Sequence, residues 1–318
     1  MTRRLLALAL SAAIVSPASA SSIFTPETVF PSGGTAQFPG DIATYTMWWG
    51  LRAYSAAVAA TGTQKALDLR RVSDNATCTA LIGTNGDLDL TVGTPCNSST
   101  QTVTAWIGAS TATVSKIYDQ TNGNACSGAS CDLVQATAGN QPNLLLTGCG
   151  GSGTLPCLQG GPNQGSGALT SANNFTTSVP SSRSLVGDRP VSSSLQIQEM
   201  SVVIAQSSKA LFPHAANQWD CGGLTATAAD AAWHAANCSV TTGVNNTNIN
   251  VDGTETNGTT SQAILTGLPT IIQMSGHGGA FTVLFGEAGY ADNVLWSLGT
   301  RIALCHNQRI YYGTGGSC

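Results

Sequence analysis

The stretch from Val114 to Leu146 limits the architecture more than any other part of this chain. Val114, Ile117 and Tyr118 are β-formers, and they run into Asp119-Gln120-Thr121-Asn122-Gly123-Asn124, where φ > 0 is cheap. After Pro142-Asn143 the chain returns to an apolar run at Leu144-Leu145-Leu146. Strand, Asn/Gly turn and returning apolar run make the repeating unit of an antiparallel sheet. Similar pieces recur on both sides. Ala66-Leu67-Asp68-Leu69-Arg70 alternates and continues to Val72 before the turn Ser73-Asp74-Asn75, and Gly86-Asp87-Leu88-Asp89-Leu90 alternates again. Met200–Ala205 reads as a buried strand. Val244–Val251, Ile264–Leu268, Thr270–Ser275, Phe281–Phe285 and Tyr290–Trp296 read as further strands.

Two helices are expected. The first covers about Tyr45–Ala60, with Met47, Leu51, Tyr54 and Val58 at helical spacing and Gly62 as its stop. The second places Leu298, Ile302, Cys305, Arg309 and Tyr312 on one face and ends at Gly313. The segment from Gly148 to about Leu195 is loop-heavy, decorating one face or holding short strands. Many short strands, a helix near each end and no βαβ alternation define one all-β sandwich over residues 41–318.

Ahead of it, residues 1–20 read as a secretory signal peptide: Arg3-Arg4, the apolar Leu5–Leu10 and an Ala-x-Ala site ending at Ala20. That apolar run is too short to span a bilayer, and no later stretch reads as a membrane span. Residues 21–40 are a loose Ser/Thr/Pro/Gly-rich arm. Removing Arg3 and Arg4 takes the net charge from −4 to −6, and only 9% of residues are charged. This excludes an electrostatic surface for nucleic acid. The expected location is secreted or periplasmic, where disulfides persist. Ten cysteines fit that setting: Cys78, Cys96, Cys126, Cys131, Cys149, Cys157, Cys221, Cys238, Cys305 and Cys318. Pairing of sequence neighbours is expected, because each such bridge staples one local loop. With no CxxC pair and four histidines, neither a metal nor a cofactor is expected.

Three runs carry a resemblance: Arg52-Ala53-Tyr54-Ser55, Leu67-Asp68-Leu69-Arg70-Arg71-Val72-Ser73-Asp74-Asn75-Ala76-Thr77 and Ile117-Tyr118-Asp119-Gln120-Thr121-Asn122-Gly123-Asn124. Together they resemble the catalytic domain of α-L-arabinofuranosidase B, most clearly over residues 45–146. The resemblance implies a concanavalin A-like jelly-roll sandwich, a carbohydrate partner and retaining hydrolysis by two carboxylates about 5–5.5 Å apart. In the run similar to the family's nucleophile segment, Trp219-Asp220-Cys221-Gly222-Gly223-Leu224-Thr225, Thr225 stands where the family has Glu. Where its acid follows paired glycines, Gly278-Gly279 lead to Ala280.

The residues leave the following candidates. Asp220, between Trp219 and Cys221, and Glu287, between Gly286 and Ala288, are the catalytic pair if the chain hydrolyses. Trp219, Trp233 and His234 are candidates for sugar stacking and hydrogen bonding, and Asp119 for a sugar hydroxyl, set against core packing for Trp233 and turn capping for Asp119. Trp48, Trp49, Trp106 and Trp296 are assigned to the core. Three functions remain open: an arabinofuranosidase-type hydrolase, a non-catalytic lectin-like or adhesive module that kept the sandwich and lost the acids, and a purely structural envelope or appendage protein, which fits the low charge and Gly/Ser/Thr/Asn composition.

Overall fold

The computed structural model describes residues 38–88, 102–160, 169–171, 173, 175–176, 180–188, 199–202, 211–214, 218–227, 232–242, 246–259, 269–270, 272–275 and 284–318. The signal-peptide reading, most of the arm, Cys96, Ile264–Leu268 and Gly278-Gly279 lie outside these residues.

The chain opens with α1 (Pro39–Ile42), β1 (Met47–Gly50) and α2 (Ala56–Thr61). The expectation of a helix over Tyr45–Ala60 is corrected to a strand followed by a short helix. Met47, Trp48 and Trp49 are all buried, and successive side chains of a strand are buried on opposite faces of a sheet covered on both sides. Gly62, at φ 58°, stops α2 where the sequence indicates, and the Ser55 hydroxyl caps its start by accepting from Val58 N. Next come β2 (Lys65–Arg71), β3 (Thr77–Leu81), α3 (Val103–Ile107), β4 (Ala112–Ile117), β5 (Leu133–Val134), β6 (Asn143–Cys149) and β7 (Leu155–Gln159). β8 (Leu169–Ser171), β9 (Phe175–Thr176), β10 (Ser181–Asp188), β11 (Glu199–Val202), β12 (Leu211–His214), β13 (Gln218–Cys221) and β14 (Leu224–Thr227) follow. The chain closes with β15 (Trp233–Val240), β16 (Thr247–Val251), β17 (Thr254–Gly258), β18 (Pro269–Thr270), β19 (Ile272–Ser275), β20 (Leu284–Asp292) and α4 (Leu298–Tyr312).

Among the described residues, fifteen strands form one antiparallel sheet whose main path is β11-β19-β8-β5-β4-β6-β7-β20-β10-β15-β16-β17. β12-β13-β14 form a smaller sheet, and β9 pairs with β18. This is the all-β jelly-roll sandwich with a C-terminal helix that the sequence implied. Of Gly86–Leu90, residues 86–88 are described and contribute the bridges Arg52↔Asp87 and Ile82↔Leu88. Four neighbour pairings of cysteines are present: Cys126–Cys131, Cys149–Cys157, Cys221–Cys238 and Cys305–Cys318. Cys78 is disulfide-bonded as well.

Two departures from expectation define the centre of the molecule. The loop-heavy segment contains β10, which lies between β15 and β20 and has seven of its eight residues buried. Two of its serines are met inside the fold: Ser182 bonds Ser239, the carbonyl of Val294 and the N–H of Trp296, and Ser184 bonds the Tyr45 hydroxyl. Likewise α4 buries only Cys305 and Tyr312 of the stripe expected of it. Leu298 is 49% exposed and Ile302 37%, while Arg301, Leu304, Cys305, Gln308 and Tyr312 face inward. The covered face mixes polar Arg301 and Gln308 with Leu304, Cys305 and Tyr312, so apolar periodicity marks only part of it.

The register through β10 sorts side chains onto the two faces of the sheet, since paired residues point the same way and neighbours point opposite ways. Val186 pairs with Glu287, Ser184 with Asn237 and Asp188 with Trp233, on the face covered by α4. Arg183 pairs with Cys238 and Tyr290, and Gly187 with His234, on the other face. The Cys221–Cys238 bridge fastens β13 to this second face.

Candidate functional site

The residues that carry the family resemblance stitch the fold together. Asp119 Oδ1 accepts from Trp48 N (3.1 Å), Thr121 N (3.0 Å) and the Thr121 hydroxyl (2.9 Å), so Asp119 ties its own turn to β1. Gln120, fully buried, donates through Nε2 to the carbonyls of Gly50 and Arg52 and accepts from Tyr54 N through Oε1. The second run, Leu67–Thr77, supplies most of β2, paired with β4, and its turn is held by Arg71 on Asp74 and by Arg70 on Asn75.

Burial pushes the Asp119 carboxyl up to about 6, against the bonds from Trp48 and Thr121, with the Asp132 charge adding to the rise. The sign follows from linkage. A carboxyl that holds its proton more tightly when folded contributes stability fully present below pH 4 and lost as pH rises through about 6, amounting to about 3 kcal/mol. Asp119→Asn should keep the accepting oxygen and remove this dependence. Chemical unfolding of wild type and variant at pH 4 and pH 7.5 measures it; parallel pH profiles would contradict the assignment.

Glu287 lies inside β20 with no exposure to solvent. Arg52 donates to it from Nε (2.5 Å) and Nη2 (2.9 Å), Gln308 Nε2 at 3.0 Å and the Tyr312 hydroxyl at 3.2 Å. These four donors occupy the carboxylate, leaving no oxygen directed at a cleft. Trp233 lies on the same face, stacked on Tyr312 with ring centroids 5.7 Å apart.

Asp220 belongs to the smaller sheet. β13 and β14 are joined by Gly222-Gly223, both at positive φ, as a two-residue type I′ hairpin requires. Asp220 Oδ1 accepts from Gly223 N at 2.8 Å, which fixes the carboxylate at the hairpin end. Trp219 and Cys221 point toward β15, and the Trp219 ring meets His234 edge-on at 6.2 Å. His234 Nδ1 bonds Asp252 Oδ2, and Asp252 Oδ1 accepts from Ala235 N. Asp220 and its register partner Thr225 therefore point the opposite way, with Gln218 and Thr227 beside them. Thr225 and Thr227 are exposed, whereas Trp219 (2%) and Trp233 (5%) show almost no ring to solvent.

The structure thus brings Trp219, His234 and Asp252 together behind Asp220. It sets Glu287 and Trp233 on the other face of the main sheet, and Asp119 at the end of β4. The sequence marks Arg52 only through the family likeness and singles out neither Gln308 nor Asp252; the polar content of α4 was the available signal for Gln308. A separate open groove of about 480 Å³ is lined by Arg71, Ser73, Asp74, Trp106 and Ser110. There the Arg71 guanidinium covers the Trp106 ring at 4.9 Å and chelates Asp74.

Comparison with solved structures places the fold. An arabinofuranosidase in complex with arabinofuranosyl-α-1,2-xylobiose matches with a TM-score of 0.59 at 13% identity, covering 87% of this chain and 65% of that one. A GH54 α-L-arabinofuranosidase soaked with a cyclic sulfate inhibitor matches with a TM-score of 0.60 at 12% identity, covering 88% and 66%. The chain therefore has a GH54-like fold and spans about two-thirds of the length of these relatives. No family model and no curated protein matches the sequence.

Proposed function

We propose that this is an exported glycan-recognition protein built on an arabinofuranosidase-like sandwich, which binds arabinose-containing polysaccharide without hydrolysing it through Asp220 and Glu287. One observation carries the reading: the two carboxylates belong to opposite sides of the main sheet, and Glu287 is saturated by Arg52, Gln308 and Tyr312. A retaining pair needs both carboxyls at one glycosidic bond, about 5–5.5 Å apart. Thr225, opposite Asp220, is an exposed hydroxyl where the family resemblance calls for an acid. Exposed Thr225 and Thr227 with half-buried Gln218 give the outward face of the smaller sheet donors and acceptors for sugar hydroxyls, and Asp220, only 8% exposed, lies among them. The likeness to arabinofuranosidases supports the sugar class, and the expected leader with the disulfides supports export.

Affinity electrophoresis of the disulfide-intact protein through arabinoxylan tests the binding half. The expected result is retardation that Asp220→Asn weakens about tenfold, the size of one charge-assisted hydrogen bond. Asn keeps the acceptor for Gly223 N, so the hairpin survives. Migration unchanged by arabinoxylan would contradict the proposal.

A further inference from the structure

β10 carries an arginine at its centre that the described residues leave without a counter-charge. Arg183 has no solvent exposure. Its Nη2 donates to Ser181 Oγ at 2.7 Å, while Nε and Nη1 have no hydrogen-bond partner. The Tyr290 ring lies 5.7 Å from the guanidinium, with Phe175 edge-on to that ring. Among the described residues no carboxylate pairs with Arg183, and the nearby Asp292 accepts instead from the Tyr290 hydroxyl. Arg52 and Arg301, the other buried arginines, each hold a glutamate.

A buried charge persists only when paired, because desolvation opposes it and neutral dipoles compensate poorly. Arginine does not escape by losing its proton. Here burial lowers the affinity of the guanidinium for its proton, and the Tyr290 ring opposes that only in part. Water accepts from an unpaired N–H but brings no negative charge. The missing partner is therefore an anion. Complete enclosure selects a small, free one over a carboxylate carried on a polysaccharide, and Nε and Nη1 are the N–H groups left to receive it.

We propose that Arg183 holds a small inorganic anion of chloride type, as the counter-charge of the β10 core on the face opposite α4. The Tyr290 ring and Ser181 flank the guanidinium on this face. The site is independent of glycan recognition.

Bromide replaces chloride and scatters anomalously, so crystals of the wild-type protein grown in sodium bromide give the direct test. The expected result is an anomalous peak within hydrogen-bond reach of Arg183 Nε or Nη1. A map without one overturns the proposal. In solution, melting in sodium chloride against sodium gluconate at equal ionic strength should show a saturable rise of about 5 °C at a hundredfold excess over Kd. The rise should vanish in Arg183→Met; the same rise in that variant overturns the assignment.

Discussion

Arg52→Met should destabilise the protein by about 3–5 kcal/mol, because it strands the Glu287 carboxylate in the interior. Arg52 is 2% exposed, makes both forked bonds to Glu287 and also donates to Asn307 Oδ1 at 2.7 Å. Its guanidinium sits 4.5 Å from the Tyr311 ring, whose hydroxyl donates to Asp87. The pair thereby joins the turn after β1, the centre of β20 and the inner face of α4. Removing both charges with shape-matched residues, Arg52→Met with Glu287→Leu, should recover most of the loss, since the desolvation cost disappears with the attraction. Urea unfolding of the two variants measures this. A single variant within about 1 kcal/mol of wild type would show that the pair carries little of the fold.

Gln120→Ala is expected to cost about 3–6 kcal/mol. It leaves the carbonyls of Gly50 and Arg52 and the N–H of Tyr54 without their partner, at about 1–3 kcal/mol for each buried group, and opens a cavity. Gln120→Glu should be no better. A second oxygen would replace the Nε2 donor facing two carbonyls, so shape is kept while the bonding is reversed. Equal midpoints for Gln120→Glu and wild type in urea would contradict this account of the motif.

These two side chains explain what the sequence could and could not disclose. Tyr118-Asp119-Gln120 and Arg52-Ala53-Tyr54 are legible as a family likeness because they hold each other, so they mark the scaffold whatever chemistry it hosts. β2 and β4 are legible because their apolar residues alternate or are β-branched. β10 is not, since Ser181-Ser182-Arg183-Ser184 has the composition of a loop and becomes a core strand only through partners in β15, β20 and the segment before α4. The same applies to α4, whose buried Arg301 and Gln308 answer Glu255 and Glu287 from remote parts of the chain. Glu287 drew notice as a candidate acid for its place between small residues. Gly286 beside it and Gly289 further along are instead what lets β20 pack closely against Tyr312 and against Tyr45 and Trp48.

The central claim is that the scaffold recognises a glycan while Asp220 and Glu287 form no hydrolytic pair. The most direct measurement is arabinose release from 4-nitrophenyl α-L-arabinofuranoside and from arabinoxylan by the purified, disulfide-intact protein, beside Asp220→Asn. The account predicts no release above that of the variant, together with retention on arabinoxylan. Arabinose release by the wild type that Asp220→Asn abolishes would contradict it.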